Sequence, residues 1–320
     1  MLSDELQERI STAEQAVKDC CAAAIKTLDK VHIVDAPLYH YTTAESLQGI
    51  LRHQQFWCTS VRHLNDPSEL EHGMSLLHST LTQLKLDPDG DISAIATDIQ
   101  NELSDEWHEL FGLYPLCFSR KRDDLSQWIA YGDDGKGFCI ALAPTLFKVE
   151  ENAVPPKFNF VIRLEYDDSI VRGWMMRDAK NAAKILKKAT EDFDVTALPN
   201  EVGEEFMGEL TRSISTRLAG NLFFYAANAK HNSYSNEEET RLLIFNNNEA
   251  LSDHIETRTR KSQIVPYIRN EMPVRTPGNT IEIMIGPSAD PSAEDALKTL
   301  LSSLAMPTDI VHRSNIPYRS

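Results

Sequence analysis

The sequence has no long hydrophobic run and few cysteines. No stretch approaches the roughly 20 apolar residues of a membrane-spanning helix, and the opening segment MLSDELQERISTAEQ is polar and acidic, unlike a signal peptide. The five cysteines are odd in number and widely spaced, and the adjacent pair Cys20-Cys21 suits neither a disulfide framework nor a Cys-x-x-Cys metal site. We therefore expect a reduced, cytoplasmic protein without membrane contact or structural zinc.

Basic residues are scarce relative to acidic ones. The chain of 320 residues carries 32 Lys and Arg against 48 Asp and Glu, a formal net charge of −16. Binding to duplex nucleic acid is driven by release of counterions from phosphates, so this balance argues against a protein that coats a duplex. It leaves room for a local basic groove or for a single nucleotide as ligand. With 42% hydrophobic residues, the chain has the composition of a globular protein with a sizeable core.

Glycine-rich phosphate loops are also absent, since neither GxGxxG nor GxxxxGK[ST] follows a predicted strand. Apolar residues at three- and four-residue steps predict an N-terminal helix over 2–30, and a mainly helical insertion is predicted at about 168–228. The pattern favours an α+β fold with a small, mixed, mostly antiparallel sheet. We expect an N-terminal helix (1–34) and a single α+β domain (35–320) that contains the insertion.

Periodicity and turn residues place the individual elements. Short apolar runs predict strands, and apolar residues at helical spacing after a cap predict helices. The predicted strands are 38–41, 56–59, 113–118, 138–142, 161–166, 240–245, 263–268, 280–285 and 309–312, and the further predicted helices include 66–84, 92–111, 125–131, 291–304 and one capped by Thr42 or Thr43.

The segment Tyr39-His40-Tyr41-Thr42 is the first that could carry chemistry. In a strand, His40 and Thr42 share one face, and Tyr39 and Tyr41 share the other. An imidazole followed by a hydroxyl can hydrogen-bond a sugar diol, so His40, Tyr41 and Thr42 are candidate ligand contacts. A buried histidine bonded to the backbone is the simpler interpretation.

The segment Asn65-Asp66-Pro67-Ser68-Glu69 begins the next predicted helix. Asp66 and Glu69 have the spacing of a capping pair that satisfies backbone N–H groups at a helix start. The functional alternative is that Asn65 and Asp66 line a pocket beside His40.

Ser119 and a short helix after it supply hydroxyl and aromatic groups. Trp128 and Tyr131 offer flat faces on which a planar ring could stack. The basic residues 120–122 could meet a diphosphate or a nucleic-acid acceptor. The alternatives are that the aromatics belong to the core and that the basic run is a solvated loop.

Three consecutive glutamates, Glu237, Glu238 and Glu239, precede an apolar strand that carries Arg241. In extended geometry Glu237 and Glu239 point one way with Arg241, and Glu238 points the other. Adjacent carboxylates resist sharing one site, so at least one pairs with Arg241 or has a raised pKa. A solvated acidic loop is the alternative.

Together these segments resemble the large bacterial family called domain of unknown function 2971. The resemblance covers nearly the whole chain outside the N-terminal helix and the insertion, in the order of the family. The matching pieces are LYHYTTAESLQGIL (38–51), HLNDPSELEHG (63–73), CFSRKRDDLSQWIAYGDDGKGFCIAL (117–142), KHNSYSNEEETRLLIF (230–245), IVPYIR (264–269), IEIMIGP (281–287) and SNIPYR (314–319).

A strand with Tyr-His-x-Thr and a late Glu-x-Glu also resemble the motifs of ADP-ribosyltransferases. This resemblance implies that NAD is the substrate, that His40 holds its ribose, and that Glu239 with Glu237 stabilises the oxocarbenium-like centre. Tyr41, Thr42, Asn65, Asp66, Ser119, Trp128, Tyr131 and Arg241 would complete the NAD site. A fixed carboxylate suits this chemistry because positive charge develops on the ribose in the transition state.

Three hypotheses follow. The first is an ADP-ribosyltransferase-like enzyme, such as a bacterial toxin or antiphage effector, with a protein or nucleic-acid acceptor and no bound metal. The second is a metal-dependent hydrolase or nuclease that uses Asp66, Glu69, Glu237 and Glu239 around Mg²⁺ or Mn²⁺. The third is a non-catalytic nucleotide-binding sensor. The amphipathic N-terminal helix could also support a homodimer, although packing on its own domain is the simpler role.

Overall fold

The structure, a computed structural model, describes residues 2–28, 34–64, 68–102, 112–149, 160–246, 253–260 and 262–318. The chain divides into two compact units. A helical unit combines residues 1–29, 66–111 and 165–232, and a sheet unit combines residues 30–65, 112–164 and 233–320. Within the described residues, no helix has both the length and the apolar character needed to cross a membrane.

The helical unit is organised around one long helix. Its helices are α1 (Asp4–Lys26), α3 (Ser68–Leu84), α4 (Gly90–Glu102), α6 (Asp168–Glu191) and α7 (Asn200–Ala227). α7 contacts each of the other four, and every residue from Asn221 to Lys230 is buried. Gly73 permits the close approach of α3 to α7, because a Cβ there would lie 1.9 Å from the carbonyl O of Ala226. The C-terminal half of α7 is therefore the centre of this unit.

The sheet unit contains a seven-stranded and a three-stranded sheet in the part of the chain described. Its helices are α2 (Ala44–His53), α5 (Leu125–Tyr131) and α8 (Ala293–Ser303). Its strands are β1 (Leu38–Thr42), β2 (Gln55–Thr59), β3 (Gly112–Ser119), β4 (Phe138–Leu142), β5 (Phe160–Arg163), β6 (Glu239–Asn246), β7 (Ile255–Arg260), β8 (Gln263–Glu271), β9 (Thr280–Ile285) and β10 (Val311–Arg313). The larger sheet has the order β10-β9-β4-β1-β3-β6-β5, and the smaller has the order β2-β8-β7. Only β10 and β9 pair in parallel among these strands.

The two faces of the seven-stranded sheet differ in chemistry. Directly paired residues share a face, and neighbours along a strand alternate. One row runs across five strands as Glu282, Ala141, Tyr39, Ser119 and Glu239. We call the side of the sheet that carries this row the carboxylate face.

The opposite side, which we call the apolar face, carries Phe118 and Ile140. These residues join Phe56 and Ile268 of the three-stranded sheet in the main apolar cluster of the unit. The main apolar cluster therefore lies on the side of the seven-stranded sheet that bears the even-numbered residues of β1 and β3. A smaller buried cluster of Tyr41, Trp128, Cys139 and Met284 lies on the other side.

The α+β class, the mostly antiparallel sheet and the N-terminal helix are confirmed. The strands 138–142 and 280–285 and the helix 125–131 agree to the residue. The predicted strand 161–166 ends earlier, at Arg163, because Asp167 caps α6 through its Oδ1, which accepts the Ser169 N–H. β7 was not predicted, since its sequence IETRTR buries no apolar side chain. The predicted helix start at Asn65, Asp66 and Pro67 lies outside the described residues.

Candidate functional site

A buried ion pair marks the carboxylate face. Arg241 Nε donates to Glu239 Oε1 at 2.5 Å, and the side chains are 3% and 7% exposed. The pairing predicted for one of the glutamates with Arg241 is therefore present. Residues two apart on a strand share a face, which brings the two side chains together on β6. Because both side chains are buried, the attraction between their opposite charges is stronger than it would be in bulk water.

Glu237 lies next to this pair and is more accessible. Its carbonyl O accepts a hydrogen bond from Ser119 Oγ at 2.8 Å, and Ser119 Oγ in turn accepts the Lys121 N–H at 3.0 Å. The Tyr131 hydroxyl lies 3.4 Å from Glu237 Oε1. Glu237 and Tyr131 are half-buried, whereas Ser119 is buried. The structure therefore brings Ser119 and Tyr131 to Glu237, two residues before the Glu239–Arg241 pair.

Tyr41 and Trp128 fix the loop and helix beside this cluster. The Tyr41 hydroxyl donates to the carbonyl O of Lys121 at 2.9 Å and accepts the Asp124 N–H at 3.0 Å. The Trp128 ring packs edge-on against Tyr41 at 4.8 Å, and its Nε1 donates to Asp123. Trp128 is 0% exposed. The prediction that a planar ligand stacks on Trp128 is therefore wrong, since its ring lies in the core.

His40 points to the apolar face, on the other side of the sheet from Glu239. Its ring lies 5.4 Å from both Phe56 and Phe118, and Nδ1 lies 3.0 Å from the carbonyl O of Cys117. A carbonyl only accepts, so Nδ1 carries the proton and Nε2 is the acceptor. Burial lowers the pKa of His40, which favours the neutral ring. The resemblance to ADP-ribosyltransferases puts His40 and Glu239 in one NAD site, whereas the structure places them on opposite sides of the sheet.

Thr42 shares the apolar face with His40. It pairs with Phe138, a member of the main apolar cluster, and is buried. Thr42 therefore does not join Glu239 and Arg241. Asn65 and Asp66, the remaining predicted NAD contacts, lie outside the described residues, as does the side chain of Glu69. Among the residues that the structure describes, no group of three His, Cys, Asp or Glu could hold a metal ion.

The basic run 120–122 contacts acidic groups. Arg120 lies 3.1 Å from Asp35, and Arg122 makes a bidentate contact with Glu282 at 2.6 and 2.9 Å. Lys121 lies 3.9 Å from both Asp124 and Glu238. Acidic neighbours offset these positive charges, so the segment is not a basic patch for a diphosphate. The Glu282 partner was not predicted, although an acid inside the apolar run TIEIMI could have indicated it.

The helical unit has a pocket of its own that sequence reasoning missed. The pocket has a volume of about 520 Å³ and is lined by Glu165, Tyr166, Asp167, Asp168, His231 and Asn232. His72 Nε2 lies 3.0 Å from Asp168 Oδ1, and its ring is 5.4 Å from that of His231. The carboxylate of Glu165 accepts the Tyr166 and Asp167 N–H groups. The carboxylates of Glu165 and Asp167 therefore organise the start of α6.

The fold is of the α+β class, with buried carboxylates on one face of its main sheet. The family model described as "Protein of unknown function (DUF2971)" matches residues 127–242. The predicted resemblance to that family is confirmed over this range, which contains α5 from its third residue on, together with Glu237, Glu239 and Arg241. The searches of curated proteins and of solved structures gave no match. The resemblance to ADP-ribosyltransferases therefore stays a prediction from the motifs.

Proposed function

We propose that the chain is an NAD-dependent ADP-ribosyltransferase that reacts at the carboxylate face. The observation that carries the proposal is the convergence of Glu237, Tyr131 and Ser119 beside the buried Glu239–Arg241 pair. Glu237 is the reacting carboxylate because it is the more accessible of the two. The Glu239–Arg241 pair positions the start of β6.

The reaction requires a carboxylate at this place. The bond between the nicotinamide nitrogen and C1′ of the ribose breaks, and the electron pair leaves with nicotinamide. The acceptor donates an electron pair to C1′ and loses its proton to Glu237 or water. The positive charge on the ribose in the transition state is stabilised by the fixed Glu237 carboxylate. Tyr131 gives the planar leaving group a half-buried aromatic wall.

His40 is not part of this site. The resemblance to ADP-ribosyltransferases implied that His40 holds the ribose, but the seven-stranded sheet separates the His40 ring from Glu237. The proposal therefore expects His40→Asn to leave NAD consumption unchanged. If His40→Asn folds but no longer consumes NAD, that result would instead support a site on the apolar face.

The test measures nicotinamide release and label transfer from NAD labelled in its ADP-ribose part. The full chain is incubated with cell lysate, and protein and nucleic-acid fractions are read separately. We expect Glu237→Gln to lose turnover by about a hundredfold or more, because it removes transition-state charge stabilisation. Glu238→Gln is the matched control: its side chain is more exposed, and it should retain turnover. Equal turnover in Glu237→Gln and the unaltered protein would refute the assignment.

A non-catalytic nucleotide sensor is the second candidate. It is favoured by the burial of Trp128 and of the Glu239–Arg241 pair, which restricts access to the face. A sensor would be stabilised by NAD in thermal unfolding without any release of nicotinamide. Absence of both stabilisation and release would exclude NAD as the ligand of either candidate.

A further inference from the structure

Strand β7 forms an open edge of the three-stranded sheet in the part of the chain that the structure describes. Of the described elements, only β8 packs extensively against it, and the pairing runs from Ile255 and Ile268 to Arg260 and Gln263 without a bulge. An edge strand presents a row of backbone N–H and C=O groups that can pair with a further strand. Proteins often protect such edges with proline, lysine or a bulge, and the six residues of β7 contain none of these.

The backbone groups on the open edge belong to Thr257 and to the residues two positions away. The carbonyl O of Pro266 accepts the Ser60 N–H at 3.1 Å, so the backbone of Pro266 faces β2. Thr257 lies opposite Pro266 and therefore makes no ladder hydrogen bond with it, and the N–H and C=O of Thr257 point away from β8. Because the ladder alternates, the backbone groups of Ile255 and Thr259 point outward as well.

One side of β7 leaves uncharged side chains in solvent. Ile255 is 39% exposed, and Ile264, which lies opposite Thr259 on β8, is 72% exposed. Thr257 and Thr259 are also exposed. Residues branched at Cβ fit a pleated surface that is covered by a neighbouring strand. The composition of this side therefore favours the addition of a strand at the edge.

The other side of β7 carries charges of both signs. Glu256 Oε2 accepts from Arg269 at 2.6 Å and from the Tyr267 hydroxyl at 3.0 Å. Arg258 donates to Thr59 Oγ1 at 3.0 Å, and its buried Nε has no hydrogen-bond partner among the described residues. Arg258 therefore has a donor left for a carboxylate on an added strand.

The sequence of β7 is complementary to itself in one antiparallel register. A two-fold axis perpendicular to the sheet places each residue opposite a residue on the same face of a second copy. With the axis at Thr257, Glu256 of each copy lies opposite Arg258 of the other, and Ile255 lies opposite Thr259. The outward N–H and C=O of Thr257 then bond the same groups of the second copy. An axis at Glu256 or Arg258 would instead place like charges opposite each other, which is destabilising.

We propose that β7 pairs antiparallel with β7 of a second copy of this chain, with the two-fold axis at Thr257. Pairing joins the two three-stranded sheets and covers both open edges. The occupant is a second copy because the order of glutamate and arginine on β7 matches the same strand reversed. A strand of six residues buries a small interface, so we expect a reversible dimer with a Kd in the micromolar range. β7 shares no residue with the proposed transfer site, so the two proposals can fail separately.

The test measures the mass of the full chain by sedimentation velocity over roughly 1–500 μM, the range of weak association. We expect an equilibrium between monomer and dimer that depends on concentration. Thr257→Pro removes an outward N–H but no hydrogen bond to β8, so it should fold and should weaken dimerisation about tenfold or more. Thr257→Val keeps the N–H and the branched side chain, and this matched control should dimerise as the unaltered chain does. Thermal unfolding checks that both variants are folded.

A charge exchange tests the register separately. Glu256→Arg and Arg258→Glu each place like charges opposite each other in a homodimer, so each variant alone should dimerise about tenfold more weakly. Mixing the two variants restores both opposite-charge pairs, and a heterodimer should form. A mixture that forms no heterodimer would overturn the proposal.

Two other outcomes also overturn it. If the unaltered chain stays monomeric over the whole range, the edge is left for a strand of a different protein. If folded Thr257→Pro dimerises with full affinity, the copies meet through another surface, such as α1.

Discussion

Both faces of the seven-stranded sheet bury apolar side chains, but only the carboxylate face buries an ion pair of β6. The apolar face adds Phe118 and Ile140 to the main apolar cluster, whereas the carboxylate face buries Glu239 and Arg241 as an ion pair. Burial of apolar surface is favourable by about 25 cal/mol per Å². Burial of two charges costs several kcal/mol per ion before their attraction offsets it. Stability alone therefore accounts for the buried apolar side chains but not for the Glu239–Arg241 pair, which supports placing the proposed reaction beside that pair.

The largest expected effect breaks the ion pair of the carboxylate face. Arg241→Leu removes the guanidinium beside the buried Glu239 carboxylate, and we expect it to lower the free energy of unfolding by about 3–5 kcal/mol. Urea denaturation measures the change. The matched control is Arg122→Leu, since Arg122 also pairs with a glutamate of this face but is 54% exposed. That variant should cost no more than about 1 kcal/mol. Equal losses would mean that burial does not distinguish the two pairs.

An intermediate effect tests how the loop above the carboxylate face is held. Tyr41→Phe removes the hydroxyl that bonds Lys121 and Asp124, and we expect a loss of about 1–3 kcal/mol, because two backbone groups lose a buried partner. Tyr39→Phe on the same strand and face is the control. Tyr39 is half-buried, and its variant should stay within about 0.5 kcal/mol of the unaltered protein. A larger loss for Tyr39→Phe than for Tyr41→Phe would contradict this account of the loop.

Local pattern predicted the elements well, because their signals lie within a few residues. Asp124 caps α5 through its side chain, and Thr43 caps α2 in the same way, so both helix starts could be located from sequence. The alternation of His40 and Thr42 against Tyr41 on β1 was also predicted. β7 escaped detection because an edge strand with no buried apolar residue leaves no alternating hydrophobic signal.

The relation between distant strands could not be predicted. Alternation shows which residues of one strand share a face of the sheet. It does not show which residues of a second strand lie on that same face. The register Tyr39–Ser119–Glu239 decides this and places Tyr39, rather than His40, in the row of the glutamate. A shift of one residue would have reversed the result. The predicted site residues therefore divided between the two faces, although each segment was recognised.

The smallest expected effect concerns His40 and its pH dependence. Burial lowers its pKa below the ordinary value of 6.5, so the unfolded chain binds the proton more readily than the folded chain. Its contribution to stability is present above pH 6.5 and is lost as the pH falls from 6.5 through the lowered pKa. His40→Asn keeps a donor for the Cys117 carbonyl but does not titrate, and it should flatten the stability profile in that range. His63→Asn provides the comparison, since burial also lowers the pKa of this more exposed ring. If stability depends on pH in His40→Asn as it does in the unaltered protein, the imidazole of the folded protein is hydrated. The apolar face would then be open to a ligand.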